Sequence, residues 1–258
     1  QLQNPLRMVT VAAGRGSRMG GMTMDKPKAL LPLMGKSLLD WQMEAARVAQ
    51  LESHRAVGGY QWQLLSNHVD LITVNPAWSE TNMVFTLFLA APQLWGGTTI
   101  FTYSDIVFHP TVLTDLAKAS GDIVISYDVL WQDLWSMRFQ DPTEDAESFA
   151  QEDGILLEIG NSIGNISEVH GQYMGLIKIT PEGWKHLVKV YADLSIEKKL
   201  TIDMTGFIGR ALDAGVTVHT CPTQGRWCEV DSVSDLKLYE DACDPTNSVY
   251  SSWNHDWR

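Results

Sequence analysis

The 258-residue sequence is poor in cysteine and has no apolar run long enough to cross a membrane. Its three cysteines, Cys221, Cys228 and Cys243, form neither a C-x-x-C pair nor an even framework, so buried thiols in a reducing compartment are expected. A membrane-spanning helix needs about 20 consecutive apolar residues. The first residues also lack the basic end and apolar run of a signal peptide. We therefore expect a cytoplasmic protein with no membrane partner.

Basic residues are also scarce. Nineteen of them stand against 31 acidic residues, for a formal net charge of −12, which argues against nucleic-acid partners. The shortage is uneven, because residues 1–36 hold six basic residues and only one acidic residue, Asp25. A basic segment on an acidic protein is suited to a small phosphate-bearing ligand, especially when a divalent cation accompanies it.

That basic segment contains a glycine-rich loop. A strand-like run, Leu6–Ala12, leads into a loop with glycines at 14, 16, 20 and 21 and cations at Arg15, Arg18, Lys26 and Lys28. Glycines let backbone N–H groups approach an anion closely, and cations neutralise the charge on a phosphoryl group during its transfer. The segment therefore predicts a loop that binds a triphosphate.

Two better-known phosphate loops do not fit. The dinucleotide-binding fingerprint needs a third glycine where this chain has Met19. The Walker A loop needs a glycine five residues before Gly35-Lys36-Ser37, where this chain has Leu30. The residues that are missing exclude both motifs.

Short apolar runs alternate with amphipathic stretches along the chain, which predicts a Rossmann-like α/β fold whose mostly parallel sheet carries helices on both faces. The predicted strands are Leu6–Ala12, Leu71–Val74, Thr98–Tyr103, Asp122–Tyr127 and Val216–Thr220. The predicted helices are Ser37–Gln50, Met83–Leu94, Thr111–Ala119, Thr201–Ala214 and Ser232–Cys243. A single domain over residues 1–258 accommodates all of them.

The middle of the chain interrupts this alternation. Residues 128–179 begin acidic and aromatic and continue with the strand-like segments Ile155–Ile159 and Gln172–Ile179. We interpret residues 128–179 as an insertion that covers the substrate. The tail Pro245–Arg258 is either a packed extension or an oligomer contact, so a homodimer is possible.

The segment Ala12–Lys28 resembles the signature Ala-Ala-Gly-x-Gly-x-Arg-Met, followed by Lys-Pro-Lys, of the nucleotidyltransferase superfamily of sugar-nucleotide pyrophosphorylase-like enzymes. Weaker blocks in the expected order resemble the phosphocholine and aminophosphonate cytidylyltransferases. They are Asn75–Pro76, Thr81–Met83, Tyr103–Asp105, Gly171–Gly175 and Trp227–Asp231. The resemblance implies a nucleotidyltransferase fold of the GT-A-like kind and two substrates, CTP and a small phosphorylated or phosphonate amine.

The resemblance also implies residue roles. Arg18 and Lys28 are the predicted catalytic cations, which hold the triphosphate while charge develops on it. The predicted nucleotide-binding residues are Ala12, Ala13, Gly14, Arg15, Gly16, Tyr60, Asn82 and Ser104. For Asn82 an N-cap of the helix Met83–Leu94 is an equal alternative.

Two acids are the predicted ligands of Mg²⁺, which prefers hard oxygen donors. Asp105 follows a predicted strand at the sheet edge where α/β proteins bind ligands, and Asp231 ends a late short strand. The resemblance implies that acids in these positions share the metal. Asp105 could instead cap a turn, and Asp231 could cap the following helix. Glu229 is expected to point to the opposite face of that strand.

The second substrate is expected to bind in the insertion. Asp128, Trp131, Trp135 and Tyr173 are the predicted substrate-binding residues, because aromatic faces and carboxylates attract an ammonium group. The same tryptophans could instead pack the insertion on the sheet. The alternative functions are a sugar-1-phosphate nucleotidyltransferase, whose pocket would favour neutral side chains, and a nucleotide-binding regulatory module without catalysis.

Overall fold

The computed structural model describes residues 6–94 and 96–258. Its strands are β1 (Leu6–Ala12), β2 (Pro32–Leu33), β3 (Lys36–Ser37), β4 (Ser53–Gly58), β5 (Leu71–Val74), β6 (Thr98–Tyr103), β7 (Ile106–Phe108), β8 (Ile123–Asp128), β9 (Phe149–Glu152), β10 (Ile155–Ile159), β11 (Gln172–Ile179), β12 (His219–Thr223) and β13 (Trp227–Glu229). Its helices are α1 (Leu38–Val48), α2 (Met83–Leu94), α3 (Pro110–Lys118), α4 (Trp131–Arg138), α5 (Pro181–Ala192), α6 (Ile196–Thr201), α7 (Met204–Asp213) and α8 (Val233–Ala242). Within the described ranges, none of these helices combines the length and apolarity that crossing a membrane requires.

A nine-stranded sheet with the order β5-β4-β1-β6-β11-β8-β12-β10-β9 forms the centre of the fold. Strands β5, β4, β1 and β6 run parallel, and so do β8 and β12. Strand β11 is antiparallel to both β6 and β8, so those two strands point the same way. The carboxyl ends of β1, β6, β8 and β12 therefore meet at one sheet edge. The predicted mostly parallel sheet is confirmed.

The segment 128–179 differs from its interpretation as an insertion. Strand β11, which is its last part, lies in the middle of the main sheet between β6 and β8. The prediction is wrong for Gln172–Ile179, because an alternating strand-like segment can add a central strand as readily as it can form a cover. That the preceding residues cover a substrate stays a prediction.

The central strands send alternate side chains into two hydrophobic cores, as the two-residue period of a strand requires. Met8 and Val124 enter one core, where they meet α1, α3, α4 and α8. Val9 and Ile125 enter the other core, against α2, α5 and α7. The predicted arrangement with helices on both faces is confirmed.

Several predicted elements have the observed bounds, among them β1, β5, β6 and α2. Strand β4 was not predicted, because its sequence Ser-His-Arg-Ala-Val-Gly interrupts the apolar pattern. His54 of this strand is nevertheless buried, and its ring is hydrogen-bonded to Thr10. A polar residue at a buried position breaks the run of apolar residues by which a buried strand is recognised in a sequence.

The C-terminal tail packs on its own chain. Trp257 is buried and its ring lies 5.8 Å from that of Trp41, edge to face. The carbonyl of Asn254 accepts a hydrogen bond from Arg226 N at 2.8 Å. The packed-extension alternative for the tail is therefore correct, and the possible homodimer stays a prediction.

A buried hydrogen-bond network connects β4 to the strand end that carries Asp105. His54 Nε2 lies 2.8 Å from Thr10 Oγ1, which donates to Gln42 Oε1 at 2.8 Å. Gln42 Nε2 donates to the carbonyls of Tyr103 and Ile106, at 2.7 and 2.8 Å. His54 Nδ1 has no partner among the described residues. Burial consequently lowers the pKa of His54 to about 4.

This buried neutral histidine makes stability depend on pH. Because its pKa is about 4 in the folded chain and near 6.5 when unfolded, the unfolded chain binds more protons between these values. The free energy of unfolding should therefore fall by up to about 3 kcal/mol as the pH drops from about 6.5 to about 4. Urea unfolding at a series of pH values measures this change in the free energy of unfolding.

His54→Gln should make the free energy of unfolding less dependent on pH in this range. His186→Gln, at an exposed position, is the control and should leave the dependence unchanged. An equally steep dependence in His54→Gln would contradict the assignment to His54.

Candidate active site

Glycine gives the loop after β1 its shape. Gly16 has a φ of 77° in the left-handed region, and a Cβ there would lie 2.8 Å from the Cβ of Lys28. A larger residue would therefore be strained and would displace Lys28. A Cβ at Gly14 would meet no atom within 4 Å, so the backbone at that position is open to a ligand. The loop combines a buried lysine with an accessible backbone.

Tyr60 makes hydrogen bonds and a ring contact with residues of this loop. Its hydroxyl donates to the carbonyls of Thr23 and Met24, both at 2.7 Å, and its ring lies under the guanidinium of Arg15 at 5.6 Å. Tyr60 does not line the cavity beside the loop, where Trp78 lies instead. Tyr60 therefore supports the loop, and its predicted contact with the nucleotide stays a prediction. Arg15 is exposed.

Three carboxylates converge beyond the end of β6. The short strands β7 and β13 pair antiparallel with Glu229 opposite Ile106, and Val230 N donates to the carbonyl of Asp105 at 2.8 Å. This register places Asp105 beside the pair Glu229 and Asp231. Carboxylate oxygens of the three acids lie within 4.8 Å of one another. We call this group the acid cluster.

The expectation that Glu229 faces away from Asp231 is wrong. Residues two apart along a strand share a face, so Glu229 and Asp231 point the same way. That spacing was the signal that could have identified Glu229 from sequence. Burial, followed by repulsion from Asp231 and Asp105, raises the pKa of Glu229 well above its ordinary value.

The acid cluster has the properties of a cation site. Asp105 Oδ1 is buried and accepts no hydrogen bond within the described part of the chain. Burial raises the pKa of Asp105, as expected for a carboxylate with an unsatisfied oxygen. Hard oxygen donors at this spacing fit a divalent cation. Ser232, not Asp231, caps α8, so the predicted alternative role of Asp231 as that cap is excluded.

Lys28 bridges two of the acids. Its Nζ donates to Asp105 Oδ2 and to Asp231 Oδ1, both at 3.1 Å. Burial alone would lower the pKa of Lys28, but the two carboxylates outweigh burial and raise it. Arg18 also reaches Asp231 Oδ1, at 3.3 Å, although 73% of its side chain is exposed. The structure thus brings together both predicted catalytic cations and both predicted metal ligands.

One residue of this centre carried no signal in the sequence. Arg138, the last residue of α4, donates to Glu229, Asp231 and Asp235, and its side chain is fully buried. It was not predicted because the surrounding segment is acidic and irregular, and nothing in its spacing connects it to residues about 90 positions later.

Two cavities flank the acid cluster. The first, the glycine-loop pocket, has a volume of about 220 Å³. It is lined by Val11, Ala13, Gly14, Gly16, Lys28, Trp78, Thr81, Asn82, Met83, Thr86, Ser104 and Asp105. Five of the predicted nucleotide-binding residues are among them, whereas Ala12 is buried in the core beside it. Asn82 lines the pocket, and its side chain accepts from Met83 N at 2.7 Å at the start of α2. Its contact with a nucleotide stays a prediction.

The second cavity, the acidic pocket, has a volume of about 250 Å³. It is lined by Arg18, Tyr103, Trp135, Asp145, Glu147, Gln172, Tyr173, Asp203, Met204, Thr205, Glu229 and Asp231. Five of these residues are acidic, and Arg18 is the one cation among them. Trp135 and Tyr173 were predicted to bind the second substrate, and both line this pocket.

The structure contradicts the predicted substrate-binding roles of Asp128 and Trp131. Asp128 is fully buried and accepts hydrogen bonds from Trp227 Nε1 at 2.8 Å, from Leu130 N at 2.9 Å and from Gly225 N at 3.0 Å, and it pairs with His255 at 2.8 Å. These partners occupy both oxygens of the carboxylate, and one of them, His255, belongs to the tail. Trp131 is 2% exposed within the hydrophobic core. Here the packing alternative is correct.

Residues 8–135, about half of the chain, match the family model of the MobA-like NTP transferase domain. The chain is 29% identical over 249 residues to the CTP:phosphoglutamine cytidylyltransferase of Campylobacter jejuni subsp. jejuni, a match that covers 90% of this chain and 98% of the relative. The chain therefore contains a MobA-like NTP transferase domain. Its predicted class, an enzyme that transfers nucleotidyl groups, is thereby confirmed.

Two solved structures share the fold of this chain. An inositol-1-phosphate CTP transferase from T. maritima superposes with a TM-score of 0.73 at 20% identity, over 95% of this chain and 99% of the other. A CTP:phosphocholine cytidylyltransferase from Streptococcus pneumoniae gives 0.70 at 16% identity, over 93% and 100%. The predicted nucleotidyltransferase fold is confirmed.

The position of Lys28 predicts the effect of its removal. Lys28→Ala should lower nucleotidyl transfer by on the order of a hundredfold, because a preorganised buried charge is lost from the centre. Arg18→Ala should also lower turnover, but by less, because most of that side chain is in solvent. Steady-state pyrophosphate release measures both. Lys36→Ala, which removes a lysine paired with Glu44 outside both pockets, is the matched control.

Circular dichroism must show that the variants are folded. Near-normal turnover in folded Lys28→Ala would contradict the assignment of Lys28 to the reacting centre.

Proposed function

We propose that this nucleotidyltransferase moves a cytidylyl group from CTP to a small acceptor that carries both an amine and a phosphate or phosphonate. The glycine-loop pocket would hold the nucleotide, and the acidic pocket would hold the acceptor. The proposal rests above all on one observation, the five carboxylates that line the acidic pocket against one guanidinium.

The charge of the acidic pocket favours a cationic acceptor. Glu147 is half-buried, and burial raises its pKa, so an ammonium group beside it would relieve an unfavourable charge. The aromatic side chains of Trp135 and Tyr173 line the same cavity and could pack against such a group. At the other end, Arg18 is the natural partner for the acceptor's anionic group.

The position of the acid cluster between the two pockets is suited to a direct transfer. An oxygen of the acceptor's phosphate or phosphonate forms a bond to the α-phosphorus of CTP. The bond from that phosphorus to the bridging oxygen of the β-phosphate breaks, and pyrophosphate leaves. Lys28 would stabilise the charge that develops on the phosphoryl oxygens, while Gly14 and Gly16 offer backbone N–H groups to the triphosphate.

Mg²⁺ is the proposed metal. Asp105 and Asp231, joined by Glu229, offer the carboxylate oxygens that this ion prefers. When bound, it would neutralise charge on the triphosphate and polarise the reacting phosphoryl group.

The choice of CTP is supported by the C. jejuni relative, whose name specifies CTP and phosphoglutamine. That relative matches nearly the whole chain, so its two substrates are a reasonable guide to this one. A phosphorylated amino acid carries an ammonium group, which agrees with an acidic acceptor pocket. We therefore include phosphorylated amino acids among the proposed acceptors, with phosphocholine and 2-aminoethylphosphonate.

The rival proposal is a sugar-1-phosphate nucleotidyltransferase that makes a nucleotide-linked sugar. A sugar pocket would need neutral hydrogen-bonding groups, of which the acidic pocket has few, mainly Gln172 and Thr205. Gln172 is moreover engaged, because its side chain makes hydrogen bonds with the backbone N–H and carbonyl of Glu147.

Pyrophosphate release with four nucleoside triphosphates and a panel of acceptors tests the proposal. The panel contains phosphocholine, 2-aminoethylphosphonate, phosphorylated amino acids and glucose-1-phosphate. We expect CTP and an amine-bearing acceptor to give the highest kcat/KM. The sugar proposal is correct instead if glucose-1-phosphate exceeds every amine, and no pyrophosphate with any pair would favour a regulatory nucleotide-binding module.

The metal site generates its own prediction. Asp105→Asn keeps the shape of the side chain but removes its charge, so turnover should fall about a hundredfold and half-saturating Mg²⁺ should rise. Titration of activity with Mg²⁺ after chelation measures both. Asp115→Asn, at an exposed position on α3, is the control. Full activity after chelation would show that transfer needs no divalent cation. An unchanged Mg²⁺ requirement in Asp105→Asn would show that Asp105 is not a metal ligand.

The acidic pocket gives a further testable prediction. Glu147→Gln removes a charge from the acidic pocket but keeps an oxygen that can accept the 3.4 Å hydrogen bond from Thr205. It should lower kcat/KM for an amine acceptor by about tenfold, the effect of losing one charged contact, and leave the KM for CTP unchanged. Steady-state kinetics with phosphocholine varied at fixed CTP measure this.

Glu144→Gln is the matched control, because Glu144 belongs to the same segment but is exposed and does not line the pocket. If Glu147→Gln leaves the kinetics for every amine acceptor unchanged, the cation is not bound by this pocket.

A further inference from the structure

We propose that Arg138 is a positioning residue, which holds one oxygen of Glu229 and one of Asp231 so that the other oxygen of each acid is oriented toward a divalent cation. The inference rests on the proposed metal site and goes beyond it, because Arg138 lies behind the carboxylates and does not touch either pocket.

The hydrogen bonds of Arg138 divide the oxygens of each acid. Its Nη1 donates to Glu229 Oε2 at 3.2 Å, and its Nη2 donates to Asp231 Oδ2 at 3.3 Å. The second oxygen of Asp231, Oδ1, points to Lys28 and Arg18 instead. Arg138 therefore holds Glu229 Oε2 and Asp231 Oδ2. It leaves Glu229 Oε1 and Asp231 Oδ1 to the acid cluster, where Asp231 Oδ1 is paired with Lys28 and Arg18.

The side chain of Arg138 is itself held by Asp235. Asp235 accepts from Nε at 3.0 Å and from Nη2 at 3.1 Å, in the two-point geometry that guanidinium and carboxylate favour. Asp235 Oδ2 also accepts from the backbone N of Asp231 at 2.8 Å. Asp235 thus holds both the side chain that orients Asp231 and the backbone of Asp231.

The start of α8 determines where Asp235 lies. Ser232 and Asp235 form a capping box, in which Asp235 N donates to Ser232 Oγ at 3.3 Å and Ser232 N donates to Asp235 Oδ2 at 3.2 Å. The guanidinium also packs near the rings of Trp135 and Phe139, at 5.6 and 4.8 Å. A helix cap, a buried guanidinium and two carboxylates form one continuous support.

Metal affinity separates positioning from simple charge balance. If Arg138 served only to neutralise nearby acids, its removal would leave more negative charge at the cluster and would tighten cation binding. A positioning role has the opposite consequence, because carboxylates without this support lose their shared orientation. Substitution of such supporting partners typically weakens metal affinity ten- to a hundredfold.

The experiment measures Mn²⁺ binding to the full chain by electron paramagnetic resonance, without nucleotide or acceptor. Arg138→Lys keeps the charge but loses the fork that reaches three carboxylates at once. We expect it to weaken Mn²⁺ binding at least tenfold, and Arg138→Met to weaken it further. Arg138→Lys should also raise half-saturating Mg²⁺ in the transfer assay more than it lowers kcat at saturating Mg²⁺.

Lys178→Met is the matched control. Lys178 is another buried cation, and its Nζ donates to the carbonyl of Ala119 at the end of α3, away from the acid cluster. Its replacement should lower the Tm and leave Mn²⁺ affinity unchanged. If Arg138→Lys fails to fold, Asp235→Asn decides, because it disturbs the same support from the capping box and should weaken Mn²⁺ binding as well.

Two results overturn the proposal, and they are distinguishable. Mn²⁺ affinity within twofold of the original chain in folded Arg138→Lys, or tighter binding in Arg138→Met, contradicts the positioning role alone. Failure of the original chain to bind Mn²⁺ contradicts the proposed metal site and the positioning role together.

Discussion

Electrostatic repulsion among three carboxylates is the constraint around which this site is built. Asp105, Glu229 and Asp231 bring oxygens within 4.8 Å of one another, at a point where burial already disfavours charge. Three cations oppose that repulsion: Lys28 bridges Asp105 and Asp231, Arg18 pairs with Asp231, and Arg138 pairs with Glu229 and Asp231. Removing one of these cations would leave buried carboxylate charge uncompensated.

The fold brings the three carboxylates and their cationic partners together. Parallel strands end at a common edge, the pairing of β7 with β13 sets Asp105 beside Glu229, and the left-handed Gly16 makes room for Lys28. One pocket is lined by the glycine loop and Asp105, and the other by Glu229, Asp231 and three further carboxylates. This division is the basis of our proposal that the nucleotide and the acceptor bind in different pockets beside one reacting centre.

Short-range patterns in the sequence predicted those features of the site that depend on neighbouring residues. The glycine loop, its cations and the strands β1, β5 and β6 follow from short-range chemistry, and Asp105 and Asp231 from their places after strands. Long-range partners left no such signal. Arg138 acts through residues about 90 positions away, and Asp128 looked like a substrate ligand because nothing in its neighbourhood indicated that Trp227 and His255 would surround it. The central strand β11 was misinterpreted for the same reason, since its neighbours are distant in sequence.

The most direct test is a crystal structure of the chain with Mn²⁺ and a CTP analogue that cannot release pyrophosphate. The account predicts an anomalous Mn²⁺ peak within bonding distance of Asp105 and Asp231, with the triphosphate over Gly14 and Gly16 and the acidic pocket still free for an acceptor. A triphosphate bound among Glu147 and Tyr173, or a Mn²⁺ peak remote from the acid cluster, would contradict it.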